Sequence, residues 1–156
     1  DLRLAGSLSD PEFAAWLRRI GSEHANITYL GRISDDEMMD EMLTCSVFCL
    51  PSLFEGVGLV ALDAAYCGAN LAVTTAGGTR DYLGPHATYF DPLDRKSLGD
   101  AVVASLDMPL PNVAVHRHVA EEFSKDACGR KLEAAYLHLL RDDGMPLTTV
   151  AETVVQ

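Results

Sequence analysis

Short apolar runs alternate with stretches of helical periodicity along most of the chain. Apolar and β-branched runs predict five strands, at residues 2–5, 26–30, 47–50, 71–74 and 87–90. Helix start signals stand between them, for example Asp10 before Pro11 and Ser34 three residues before Glu37. Strands that alternate with helices are typical of parallel sheets, so we expect an α/β fold. Its core would be a doubly wound, Rossmann-like sheet of about five strands with helices on both faces.

The same pattern sets the expected domain bounds. Residues 1–141 are predicted to form one domain, and residues 142–156 a C-terminal tail with a β-branched run at 148–155. Within the first predicted helix, Trp16 falls at helical spacing with Phe13, Leu17 and Ile20. This spacing favours a place for Trp16 in the core rather than in a binding surface.

The passage from strand to helix after residue 50 is the most informative stretch of the chain. Pro51 ends the strand, because proline cannot donate to a strand ladder. Gly56 and Gly58 bracket a tight turn, and the helical pattern begins at Leu59. A helix N-terminus then faces the carboxyl end of a strand, and its unpaired amides are suited to binding an anion.

Two acidic residues, Glu55 and Asp63, stand on either side of this turn. A phosphate flanked by carboxylates that bind hydroxyl groups indicates a nucleotide sugar as the ligand. The local pattern equally fits a simple turn with two solvated acids, because a short motif by itself is a hypothesis.

Composition narrows the class of ligand and the compartment. Twelve basic and 23 acidic residues give a net charge of −11, which argues against a nucleic-acid or anionic-membrane surface. Four cysteines without a Cys-x-x-Cys pair argue against a zinc site or a disulfide framework, so a reducing cytosol is the expected compartment. We expect no signal peptide, because the first residues have no basic leader or long apolar region, and no apolar run approaches the length of a membrane span. The histidines at 86, 116 and 118 are predicted at the surface.

Two further glycine turns fall at the same predicted edge of the sheet. Gly31 and Arg32 follow the second strand, and Gly77 and Gly78 follow the fourth. Ligands of doubly wound sheets lie beyond the carboxyl ends of the strands, so this shared edge favours a ligand site. A simple tight turn remains the alternative for Gly77 and Gly78.

These motifs, in this order and spacing, resemble the C-terminal, donor-binding domain of the group 1 retaining glycosyltransferases of GT-B fold. The resemblance covers about residues 2–141. Its segments are Leu30-Gly31-Arg32 with the Ser34 and Glu37 box, Pro51-Ser52-Leu53-Phe54-Glu55-Gly56-Val57-Gly58-Leu59, Gly68, Gly77-Gly78 and Asp91-Pro92-Leu93-Asp94. The Pro-Ser-x-x-Glu-Gly-x-Gly-Leu segment is the most specific of them.

The resemblance implies roles for the site residues. Glu55 would be the catalytic acid beside the donor sugar, and Asp63 would bind the ribose hydroxyls in place of the family's usual glutamate. The other residues implied in donor binding are Gly31, Arg32, Gly56, Gly58, Leu59, Val60, Gly77 and Gly78. The substrate implied is a UDP- or GDP-linked sugar, with no metal and no cofactor. Asp81 also replaces a usual glutamate, and these departures bear on catalysis rather than on the fold.

The resemblance also implies parts of the family that this sequence does not show. We expect the chain to begin after the family's first strand and its basic loop, and to need an N-terminal acceptor domain as a partner. The strands at 2–5 and 47–50 would then pair directly, in the order 2-1-3-4-5. The alternatives are a gap filled by another chain, as in a dimer, or by the tail at 148–155.

The expected function is the donor-binding half of a glycosyltransferase that acts with retention in polysaccharide or glycan biosynthesis. By itself the chain is expected to be inactive. The alternatives are a non-catalytic nucleotide-binding or interaction domain, or another GT-B enzyme such as a sugar-nucleotide epimerase. We expect a cytoplasmic protein that binds no nucleic acid. Membrane contact is left to the full-length protein and is not expected of this domain.

Overall fold

A computed structural model describes residues 1–142 of the chain. The predicted tail, including the strand-like run at 148–155, lies outside the described residues except for residue 142, so the domain boundary there stays a prediction. The chain divides into two compact units, residues 1–44 and the residues from 45 onward. Each unit is described by itself below.

The first unit is a parallel strand pair with two helices. Its elements, in chain order, are β1 (Leu2–Ala5), α1 (Pro11–Glu23), β2 (Ile27–Gly31) and α2 (Asp35–Thr44). Strand β1 lies parallel to β2, with Leu2 opposite Ile27. All four elements arise where the sequence pattern predicts them.

Both helices of the first unit begin at the predicted caps. The Asp10 carboxylate accepts hydrogen bonds from the backbone N–H groups of Glu12 (2.8 Å) and Phe13 (3.2 Å). At α2, the Ser34 backbone N–H donates to the Glu37 carboxylate (2.8 Å), and the Glu37 N–H donates to the Ser34 hydroxyl (3.3 Å). The capping box is therefore formed in both directions.

The predicted core position of Trp16 is wrong. Trp16 is 46% exposed, and its ring stacks on that of Phe13, which is 47% exposed, with the centroids 5.3 Å apart. Only Ala14 and Leu17 of α1 are buried. A two-stranded sheet offers a helix a narrow surface, so the large side chains at the edge of the apolar stripe lie outside it.

Besides a short 3-10 helix at Gly84–His86, the second unit contains the remaining eight α-helices and strands of the described residues. They are β3 (Val47–Leu50), α3 (Leu59–Tyr66), β4 (Asn70–Thr74), α4 (Thr79–Leu83), β5 (Thr88–Phe90), α5 (Arg95–Leu106), α6 (Val113–Glu122) and α7 (Lys125–Asp142). The three strands are parallel, in the order β3-β4-β5. Every residue of the central strand β4 is buried, and both α3 and α5 contact it. The α/β class with parallel strands is therefore confirmed.

The direct pairing of the first and third strands stays a prediction, because β1 and β3 belong to different units. Among the described residues, β1 is hydrogen-bonded to β2 and β3 to β4, in two separate ladders. The expected sheet of about five strands is thus present as two parallel ladders of two and three strands. Whether another chain or the tail completes it stays a prediction.

Candidate donor site

The backbone of Glu55 is held by the turn that follows β4. Glu55 and Gly77 form an isolated parallel bridge. The Glu55 N–H donates to the Ala76 carbonyl oxygen (2.9 Å), and the Gly78 N–H donates to the Glu55 carbonyl oxygen (3.0 Å). The turn after β3 and the turn after β4 therefore meet at one edge of the sheet, as the sequence predicts.

Gly77 and Gly78 make this contact possible because they have no side chains. A Cβ on Gly77, whose φ is +108°, would lie 1.9 Å from the Glu55 carbonyl oxygen. A Cβ on Gly78 would lie 2.8 Å from the Gly56 carbonyl oxygen. The close approach seen here is thus to the neighbouring turn, while approach to a ligand stays a prediction.

The Glu55 side chain is half-buried and has a defined neighbour. The Ser52 hydroxyl donates a hydrogen bond of 2.9 Å to Oε2 of Glu55. The sequence places Ser52 in the most specific motif but gives it no role. Its position three residues before Glu55 lets the loop orient the carboxylate.

Gly58 is the N-cap residue of α3 and has a left-handed conformation, with φ +59° and ψ +50°. No side chain caps this helix start. Gly56 and Leu59 are exposed, and Val60 is half-buried. These features suit a helix N-terminus that binds an anion, and the roles of Gly56, Gly58, Leu59 and Val60 in donor binding stay predictions.

Asp63 lies one helical turn beyond Leu59, on the exposed side of α3. It lines a shallow hollow of about 230 Å³ together with Tyr66 of α3 and Val119 and Phe123 on the α6 side. An exposed carboxylate beside aromatic side chains can accept hydrogen bonds from a ribose. The surroundings of Asp63 are therefore compatible with its predicted role in binding the ribose.

Gly31 and Arg32 belong to the first unit. Gly31 ends β2 with φ +70°, and Arg32 is exposed beyond it. Their place at the carboxyl end of a strand is as predicted. Their joint contribution with Glu55 to one site stays a prediction.

Tyr82 and Arg80 lie on α4, directly after the turn at Gly77 and Gly78. Tyr82 was missed by the sequence analysis, because nothing in its local pattern shows what its hydroxyl faces. Its oxygen would lie 2.8 Å from a Cβ on Gly58. Arg80 is exposed and its guanidinium lies over the Tyr89 ring, 4.2 Å from the centroid.

His86, His116 and His118 were predicted at the surface, but all three are half-buried. The rings of His86 and His118 stack with their centroids 4.4 Å apart, and Nε2 of His118 donates to the Tyr82 carbonyl oxygen at 2.7 Å. His116 is half-buried, and its Nδ1 is hydrogen-bonded to the Tyr66 carbonyl oxygen. These contacts join the histidines of α6 to residues that are distant in the sequence, so the local sequence pattern could not show them.

We expect the free energy of unfolding to decrease as the pH falls from about 7.5 to about 5.5. Burial and the neighbouring His118 lower the pKa of His86. Below the ordinary histidine pKa of about 6.5, the unfolded chain then binds more protons than the folded chain, so protons favour unfolding. His86→Gln should make the pH dependence shallower in urea denaturation curves. An equally steep dependence in this variant would show that other groups cause it.

The described residues contain no group of three His, Cys, Asp or Glu side chains arranged to hold a metal ion. Within that same part of the chain, none of the helices has the length and apolar character needed to cross a bilayer.

Comparison with known proteins gives the family. A model of the glycosyl transferases of group 1 matches residues 1–108. A GDP-mannose-dependent monoacylated α-(1-6)-phosphatidylinositol monomannoside mannosyltransferase from Corynebacterium glutamicum is 26% identical over 133 residues, covering 77% of this chain and 35% of the relative. O-antigen chain mannosyltransferase B from Escherichia coli is 27% identical, covering 74% and 31%. The chain thus spans about a third of the length of these relatives.

Solved structures share the fold. The sucrose-phosphate synthase of Thermosynechococcus elongatus matches with a TM-score of 0.71 and 23% identity, over 90% of this chain and 39% of that one. A UDP-forming α,α-trehalose-phosphate synthase from Burkholderia xenovorans matches with a TM-score of 0.66 and 19% identity, over 85% and 35%. At this level of identity the likeness shows the fold alone.

Proposed function

The chain belongs to the group 1 glycosyl transferases, and we propose that it is the donor-binding half of such an enzyme. The reaction would transfer a hexosyl group from a nucleoside-diphosphate sugar to an acceptor with retention. The observation that carries this proposal is the Glu55 carboxylate, held beside the uncapped start of α3 by the bridge to Gly77. An acid beside an uncapped helix start supports the proposal, because the free amides of such a start could bind the diphosphate of a donor.

The chemistry requires positioning and charge stabilisation. The first amides of α3 would bind the diphosphate, Asp63 the ribose, and Glu55 would stabilise the positive charge that develops on the sugar. No metal or cofactor is needed for these roles.

GDP-mannose is the donor that we propose first. Several similar proteins are named as mannosyltransferases, and one name states dependence on GDP-mannose. UDP-linked sugars are the matched comparison, because both nucleotides have the same ribose and diphosphate.

The wider setting of the enzyme is also a proposal. An N-terminal acceptor domain would complete the active site, as the matched segment covers only about a third of each relative. We propose a cytoplasmic location and a role in glycan or polysaccharide biosynthesis. Any contact with a membrane or a second copy would then involve the full-length protein.

The test is isothermal titration calorimetry of the chain with GDP, UDP, GDP-mannose and UDP-glucose. We expect GDP-mannose to bind, without turnover by the chain alone. Asp63→Asn should weaken GDP and GDP-mannose alike by about tenfold, because a hydrogen bond to a charged group is lost. Asp107→Asn, at an exposed aspartate after α5, is the matched control. No binding at millimolar ligand would contradict the proposal and favour an interaction domain.

A further inference from the structure

Tyr82 carries a buried hydroxyl that no described residue satisfies. Its ring packs edge-on against Phe123, with the centroids 6.1 Å apart. The hydroxyl oxygen is buried and has no hydrogen-bond partner within the described part of the chain. Buried polar groups are nearly always paired, so an unpaired one in a folded protein needs an explanation.

This hydroxyl and the Glu55 side chain occupy the same small space beside Gly58. The Tyr82 oxygen lies 2.8 Å from the point where a Cβ on Gly58 would stand. Cγ and Cδ of Glu55 lie 3.0 Å and 3.4 Å from that same point. The missing side chain of Gly58 therefore leaves room that the phenol and the acid share.

Electrostatics keeps the phenol protonated. Burial raises the pKa of Tyr82, and the negative charge of Glu55 raises it further. A protonated hydroxyl next to a carboxylate is a hydrogen-bond donor beside an acceptor. In the ligand-free chain, however, Oε2 of Glu55 accepts from Ser52.

We propose that Tyr82 is a positioning residue for Glu55. When a donor sugar binds, the carboxylate turns within the shared space and accepts a hydrogen bond from the Tyr82 hydroxyl. This bond holds the acid against the sugar and gives the unpaired hydroxyl its partner. The inference rests on the proposed function, because it gives Glu55 a donor sugar to act on.

The first experiment separates sugar binding from nucleotide binding. Tyr82→Phe should weaken GDP-mannose binding to the chain by about tenfold, because a charge-assisted hydrogen bond is lost. GDP, which has no sugar for Glu55 to contact, should bind within about twofold of the unsubstituted chain. Tyr89→Phe is the matched control, since it removes a hydroxyl that already donates to the Gly84 carbonyl oxygen at 2.7 Å.

The second experiment asks whether Tyr82 acts through Glu55. In a double-mutant cycle, Tyr82→Phe should have less than about a twofold effect on GDP-mannose affinity once Glu55→Ala is present. A merely structural role would weaken GDP and GDP-mannose equally, and direct contact with the sugar would persist without Glu55. Either result would overturn the inference.

Two further outcomes are distinguishable. If the unsubstituted chain binds GDP-mannose and Tyr82→Phe leaves that affinity unchanged, only the role of Tyr82 is refuted. If the unsubstituted chain binds neither GDP nor GDP-mannose, the donor site is refuted and the role of Tyr82 with it. The thermal midpoint of Tyr82→Phe should not fall, because an unpaired buried hydroxyl contributes no hydrogen bond to the ligand-free fold.

Discussion

Alanine at position 77 is expected to lower the free energy of unfolding by about 3 kcal/mol and to abolish donor binding. The new Cβ would lie 1.9 Å from the Glu55 carbonyl oxygen and 2.8 Å from its carbonyl carbon. Gly77 also has φ +108°, a conformation that side chains of L residues rarely adopt. The methyl group of alanine would therefore cause both a steric clash and backbone strain.

The surrounding backbone cannot move aside without a large cost in free energy. The atoms in the way are main-chain atoms, and they are fixed by hydrogen bonds from Glu55 to Ala76 and from Gly78 to Glu55. Moving Glu55 away from Gly77 would break both bonds and displace the carboxylate. A loss of stability and a loss of the site are thus expected together.

Urea denaturation followed by circular dichroism measures the first effect, and calorimetry with GDP-mannose the second. Gly99→Ala is the matched control. Gly99 lies within α5, and a Cβ there meets nothing within 4 Å. Alanine in an exposed helix should raise the free energy of unfolding by up to about 1 kcal/mol. Equal stability of the two variants would contradict the steric account of Gly77.

The sequence predicted most of the features that depend on local chemistry. Asp10 and Ser34 cap helices because their oxygens reach amides two or three residues along the chain, which a short motif encodes. Gly58 was predicted in a turn before a helix, and its positive φ supplies that turn. In each case the residue and its partner lie within a few positions of each other.

The features that the sequence did not predict depend on contacts between distant residues. Gly77 was assigned to ligand approach, but the atoms nearest to it are those of Glu55, 22 positions earlier. His118 was expected at the surface, yet it bonds to the Tyr82 carbonyl oxygen across 36 positions. A periodic pattern can show that a face is apolar, but it does not identify what that face meets.

Trp16 shows that a sequence pattern can also predict burial that the structure does not have. Its helical spacing is the same as that of a core residue, and it is nevertheless 46% exposed. Burial requires an opposing surface of sufficient width, and the strand pair β1-β2 is narrow. The sequence determines which side chains are apolar, while the neighbouring elements determine which of them are covered.

The backbone of Glu55 is fixed before any ligand arrives, so that only its carboxylate would turn when a sugar binds. Its backbone is paired with Gly77 and Gly78, and its carboxylate accepts from Ser52. An acid held in place needs little reorganisation when charge develops on a bound sugar, which is the condition for electrostatic stabilisation. Catalysis should therefore depend strongly on its charge.

Glu55→Gln in the full-length protein is expected to reduce sugar transfer from GDP-mannose by about 10²-fold to 10³-fold, with GDP affinity unchanged. Glutamine keeps the size of the side chain and can still accept a hydrogen bond from Ser52. What it removes is the negative charge that would stabilise a positively charged sugar in the transition state. The turnover number should therefore fall by more than the affinity for the donor.

Steady-state kinetics of GDP release separates these quantities. Glu133→Gln, which makes the same change at an exposed position on α7, should retain full activity. If Glu55→Gln weakens GDP-mannose binding by the same factor as it lowers the turnover number divided by the KM, then Glu55 binds the substrate without stabilising the transition state. Full activity in Glu55→Gln would exclude Glu55 as the catalytic acid.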